Sequence, residues 1–140
     1  MKRVAIHPAS LVVLIVLGAY LTGAYWGHQT VACPTTGVID CEAVLTGPGS
    51  VVIGLPIACW GGLWAGVRFL FPYLPRGSWR QYTWFGLGVC GLVWAWSHEA
   101  LDGHICLWCS AMQVAVMAAL ATSRVPARQP SVDGVDKRLA

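Results

Sequence analysis

The chain has 140 residues, 56% of them hydrophobic and 11% charged, with a positive mean hydropathy. That balance excludes an ordinary soluble domain and points to a single membrane domain with room for about four spans of roughly 20 residues. The net charge of +3 sets nine Lys and Arg against six Asp and Glu, and the basic residues form no stripe alternating with aromatics, so nothing marks a nucleic-acid partner.

A polar "MKR" opens the chain, followed by a first apolar segment over about residues 8–27, "PASLVVLIVLGAYLTGAYWG". A signal peptide is the alternative, but the apolar run is long for one and "TGA" at Thr22 to Ala24 makes a poor cleavage site. The stretch 28–50 contains "ACPTTGVIDCEAVLTGPGS", rich in Pro, Gly and Thr, and reads as a loop without regular structure. Further apolar segments follow at about 51–71, 81–100 and 103–123. Each is long enough to cross the hydrocarbon layer, where the backbone must satisfy its own polar groups, so all four are expected to be helices. Asp102 is the expected N-cap of the last. Gly61, Gly62, Gly66, Gly86, Gly88 and Gly91 suit close helix contacts. Trp26, Trp60, Trp79, Trp84, Trp96 and Trp108 fall mostly near segment ends, where an indole suits the membrane interface. Residues 126–140 read as a polar tail beyond a membrane domain spanning 1–125.

Charge placement sets the orientation. Lys2 and Arg3 precede the first segment, Arg68, Arg76 and Arg80 flank the second connection, and Arg124, Arg128, Lys137 and Arg138 follow the fourth. Asp40, Glu42, Glu99 and Asp102 fall on the opposite side. The positive-inside rule then makes both termini cytoplasmic and the 28–50 loop extracytoplasmic.

Six cysteines occupy this map. Cys59 and Cys90 lie within spans and read as small core residues. Cys33 and Cys41 lie in the long loop, and Cys106 and Cys109 open the last segment, so four thiols face the side where disulfides persist. Cys106 and Cys109, three residues apart, share a helix face close enough to open and close a disulfide without large motion. Free amides at the helix start favour a thiolate there. Seven residues separate Cys33 from Cys41 and allow a closed turn. That turn is either a static staple or a second redox pair. Two dithiols on one membrane face can exchange through a mixed disulfide, and a lipid-soluble quinone is the electron sink that reaches such a bundle. No fingerprint for a flavin or nicotinamide is present.

The order of "CPTTGVIDC", "DCEAVL", "GLPIACWG" and "ICLWCS" resembles the vitamin K epoxide reductase family, in its small stand-alone microbial form. The resemblance implies an all-α bundle of four transmembrane helices that encloses a quinone of the ubiquinone or menaquinone type, without metal, flavin or nicotinamide. It further implies a thioredoxin-like disulfide donor as partner and a bacterial inner-membrane location. Electrons would pass from the partner to Cys33, from Cys41 to Cys106, and from Cys109 to the quinone. Leu45, Thr46 and Gln113 would border the ring. The hydroxyl that the family places six residues after the second loop cysteine falls on Gly47, with Thr46 beside it. The aromatic or His four residues after the last cysteine is Gln113.

Three other readings compete. A second kind of four-span quinone reductase regenerates disulfides, but its C-x-x-C lies in the first outer loop. A metal-binding or transport protein would use the thiols with His28, His98 and His104. A structural membrane subunit would carry the disulfides incidentally.

Overall fold

The computed structural model describes residues 6–34, 36–71 and 79–123. In chain order these form helix α1 (Ile6–Trp26), a short helix α2 (Cys41–Thr46), a hairpin of β1 (Val51–Val52) and β2 (Leu55–Pro56), and helices α3 (Ile57–Leu70), α4 (Trp79–Asp102) and α5 (Leu107–Thr122). The fold is thus mainly helical, and α1 is the one helix among the described residues long and apolar enough to cross a membrane; α3 and α5 are shorter apolar helices. Lys2, Arg3, Arg76, Arg124, Arg128, Lys137, Arg138 and the tail 126–140 lie outside the described residues.

α1 is apolar on every face, and it packs against both α3 and α5. Its buried Leu11, Leu14 and Leu21 meet Ala58 and Ala65 of α3 and Met112, Ala115, Ala119 and Leu120 of α5. Small residues let α1 and α3 approach closely: a Cβ on Gly18 would stand 2.8 Å from the Ala58 carbonyl oxygen and 2.9 Å from the Gly62 Cα. Both obstacles are backbone, so the helices would have to separate. Gly18→Ala should therefore lower stability by about 1–3 kcal/mol, read as a lower unfolding midpoint in detergent. Gly23→Ala on the same helix, with nothing within 4 Å, should change little.

The outward side chains are also apolar, with Val12, Val13, Val16, Val89, Val93 and Val114 all exposed. A surface of this kind suits hydrocarbon, not water.

α4 is held to α3 by a reciprocal tryptophan pair. Trp64 and Trp84 stack with ring centroids 4.1 Å apart, and each indole N–H donates to the other residue's carbonyl, at 2.9 and 3.2 Å. Gly88 gives the Trp64 ring its room. In the first turn of α4, the Gln81 side-chain amide donates to the Ser123 carbonyl at 3.4 Å.

Several expectations are corrected. The second apolar segment begins as the hairpin at 51–56, not as helix. Ile53 and Gly54 take positive φ values of 53° and 77° to make the turn, and Pro56, which has no N–H and disfavours helix before it, stands at the N-cap of α3. The third helix runs to Asp102, ended by Gly103 at φ 69°. Asp102 is therefore the last residue of α4, and the N-cap of α5 is Cys106. The 28–50 stretch is not wholly irregular, since Asp40 caps α2 by accepting from the Ala43 amide at 3.0 Å. Cys90 is exposed and Cys59 only half-buried, so neither is a core residue. Trp84 is buried between helices instead of interfacial. Gly66, Gly86 and Gly91 have nothing within 4 Å of a Cβ position, and Gly18, absent from the expected set, makes the closest approach to another helix's backbone.

Candidate active site

The segment after α1 is stitched to the segment before α5. Trp108 donates its indole N–H to the Ala32 carbonyl at 2.9 Å, fixing the residue that precedes Cys33. Thr36 and Ile39 close a tight reversal, and Ile39 bridges in parallel to Ile105. The Ile105 amide donates to the Val38 carbonyl at 2.9 Å, and the Asp40 amide donates to the Ile105 carbonyl at 3.2 Å. These bonds place Cys41, at the start of α2, beside Cys106. Cys33 and Cys41 form a disulfide with Cα atoms 6.1 Å apart. Cys106 and Cys109 are free thiols.

Cys41, Val44 and Cys106 form one buried cluster, with Cys33, Trp108 and Cys109 packed against it. Exposure falls from half-buried Cys33 to 1% at Cys41 and 0% at Cys106. A thiol from outside can therefore reach Cys33, while exchange between Cys41 and Cys106 would be shielded from solvent.

Cys106 stands at the N-cap, just ahead of α5, with its sulfur accepting the Cys109 amide at 3.2 Å. The side-chain hydrogen bond with Cys109 holds the Cys106 thiol below its ordinary pKa. Burial works against this, and the amides of Cys109 and Trp108 add to it. A sulfur surrounded by donors at a helix start gives up its proton readily.

Cys109, one turn into α5, lies on the wall of a cavity of about 780 Å³ between α3, α4 and α5. Leu45, Trp64, Trp84, Met112 and Gln113 also line it, and its surface is largely apolar. Such a space takes a flat ring with an apolar tail. Two of the three residues expected to border a quinone, Leu45 and Gln113, are on its wall. Thr46 is exposed, and its hydroxyl donates to the Glu42 carbonyl at 2.8 Å.

A smaller recess of about 40 Å³ shares Leu45, Cys109 and Gln113 with the large cavity and adds His98 and Glu99 of α4. The Gln113 carbonyl oxygen accepts the Trp96 indole N–H at 2.8 Å, which turns its amide nitrogen toward Glu99 Oε2 at 3.2 Å. The indole can only donate, so the Gln113 orientation is fixed by chemistry. His98 pairs with Asp102 at 2.8 Å, and its ring lies directly against Gly49, where any Cβ would overlap it. Gly47 has a similar reason: a Cβ there would come within 2.9 Å of Asp102 Oδ2. The space that a hydroxyl side chain would need at position 47 is thus taken by the carboxylate of α4.

Glu99, Trp96 and Met112 were not singled out as site residues by sequence. An acidic residue within an otherwise apolar segment was the available signal for Glu99. Among the described residues, no three of His, Cys, Asp and Glu converge in a way that would hold a metal ion.

Compared with known proteins, residues 6–123 match the Vitamin K epoxide reductase family. No curated protein and no solved structure matches the chain. The match covers most of the sequence, with both cysteine pairs and the cavity residues inside it. The chain belongs to the vitamin K epoxide reductase family, membrane-associated oxidoreductases of thiol and quinone chemistry.

Proposed function

We propose that the protein is a membrane thiol:quinone oxidoreductase that reoxidises a thioredoxin-like disulfide donor and so supports disulfide formation outside the cytoplasm. The observation that carries this reading is the shared cluster of Cys41 and Cys106, with Cys109 on the wall of a large apolar cavity.

In the proposed relay, a partner thiolate attacks the accessible Cys33 sulfur of the Cys33–Cys41 disulfide, and the partner's second thiol completes its own disulfide. Two electrons then reside on Cys33 and Cys41. Cys41 attacks the Cys106–Cys109 disulfide at Cys106, and Cys33 resolves the mixed disulfide. The reduced Cys106 and Cys109 pass the two electrons to a quinone in the cavity as their own disulfide reforms. Burial of Cys41 and Cys106 supports the middle step, since stray thiols cannot intercept a mixed disulfide that solvent does not reach.

In this reading α1, α3, α4 and α5 span the membrane, with both termini cytoplasmic and the cysteines outside, in a bacterial inner membrane. α3 has 14 residues, a rise of about 21 Å, short of the roughly 30 Å hydrocarbon layer. The hairpin before it, with Ile53 exposed at its tip, would lie at the membrane interface.

The test mixes detergent-purified protein with a reduced thioredoxin-like protein and follows quinone absorbance. Catalytic loss of the quinone signal, with oxidation of the partner, is expected. A partner that stays reduced while the quinone is untouched would overturn the proposal.

A further inference from the structure

Glu99 is set apart from the other acids by its surroundings. One carboxyl oxygen, Oε2, accepts from the Gln113 amide. The other, Oε1, is buried and has no hydrogen-bond partner. Leaving a carboxyl oxygen buried and unbonded costs free energy, and a bound partner would relieve that cost. The recess beside it shares Cys109 and Gln113 with the large cavity, so the carboxyl stands where a group reduced by the Cys106/Cys109 pair would need protons.

We propose that Glu99 is the proton donor of quinone reduction, delivering its carboxyl proton to the quinone as the Cys106/Cys109 dithiol closes to a disulfide. The proposal rests on the thiol:quinone reading and adds to it an acid of α4 in the recess that adjoins the cavity at Cys109 and Gln113. The balance is as follows. The Cys106 thiolate and the Cys109 thiol form one S–S bond and release two electrons. The quinone takes both electrons with one proton from Cys109 and one from Glu99, and becomes the quinol. Glu99 is left as carboxylate and is reprotonated from the proton that Cys106 loses when the next dithiol forms. His98, Glu99 and Cys109 are the titratable side chains lining the recess. His98 is paired with Asp102 on the same helix, and Cys106 stands just ahead of α5.

Gln113 positions the acid. Its carbonyl is committed to Trp96, so its amide can only donate to Glu99. This gives a role to the side chain that stands where the family places an aromatic or His.

The experiment uses full-length protein in detergent, pre-reduced and freed of reductant, mixed with a short-chain ubiquinone analogue over a range of pH. The wild-type single-turnover rate should rise with pH as Cys106 becomes thiolate. Glu99→Gln keeps the shape of the side chain. It should slow quinone reduction on the order of 100-fold across the whole range. Glu99→Asp should restore part of the rate. Exchange between the Cys33/Cys41 and Cys106/Cys109 pairs, followed by alkylation and mass, should be unchanged in Glu99→Gln.

A Glu99→Gln protein with the wild-type rate would overturn the assignment while leaving the thiol:quinone reading intact. Loss of thiol exchange together with quinone reduction would reduce Glu99 to a structural role and also overturn it. Wild-type protein that reduces no quinone would remove both readings at once.

Discussion

In the double variant Cys33→Ala/Cys109→Ala, quinone reduction is expected to fall to background, and the two remaining relay cysteines, Cys41 and Cys106, to be joined in a disulfide once a mild thiol oxidant such as diamide is added to take up their two electrons. The reasoning is one of removal. Each pair exchanges through its fully buried member, Cys41 or Cys106, and the mixed disulfide is resolved by the other member, Cys33 or Cys109. With Cys33 and Cys109 gone, nothing remains to resolve the mixed disulfide. Cys41 and Cys106 lie in one cluster, with exposures of 1% and 0%, so added small thiols should open the bond slowly. Mass spectrometry of unreduced proteolytic fragments reads the result directly, as a link between the peptides that contain Cys41 and Cys106. Two free thiols under oxidising conditions would separate the pairs and end the relay.

The second large effect concerns the cavity. Gly91 of α4 is on its wall, and nothing lies within 4 Å of the position a Cβ would take. Gly91→Phe should therefore place a ring in the cavity without disturbing the packing around it. The KM for quinone should rise at least about tenfold, equivalent to about 1.4 kcal/mol of binding, while thiol exchange between the cysteine pairs continues at its normal rate. Gly86 is also unencumbered but does not line the cavity. Gly86→Phe is accordingly the control for the effect of a bulky residue on α4. An unchanged KM in Gly91→Phe, with a raised one in Gly86→Phe, would place the quinone on another face.

The parts of this molecule legible in its sequence are those written in local pattern. The apolar runs announce helices, and the order and spacing of the four cysteines announce the family. The boundary at Pro56 was not legible in "VVIGLP". A run of β-branched and apolar residues reads the same in a span as in a hairpin, and the turn uses Ile53 at a positive φ that a β-branched residue rarely takes. The end of α4 was hidden in the same way. Asp102 suits an N-cap by residue type, but its carboxylate is engaged by His98, and Gly103 ends the helix.

Features that depend on register between distant segments were out of reach. Gly18 has no nearby signal in sequence, since its partner surface belongs to α3. Gly47 and Gly49 sit in a loop full of turn residues, and their reason, the His98–Asp102 pair of α4, lies about fifty residues away. Gln113 was visible as a departure from the family's pattern. Its partners, Trp96 and Glu99, required the facing of α4 and α5 to be known.

Every group given a part in the chemistry stands at one end of the bundle: the sulfurs near the close of α1, the openings of α2 and α5, and the acid in the last turn of α4. On the proposed relay, electrons and protons enter the quinone from the same side and travel together. The reaction then moves no net charge along the membrane normal, so the cell's membrane potential would neither drive disulfide formation nor be built up by it.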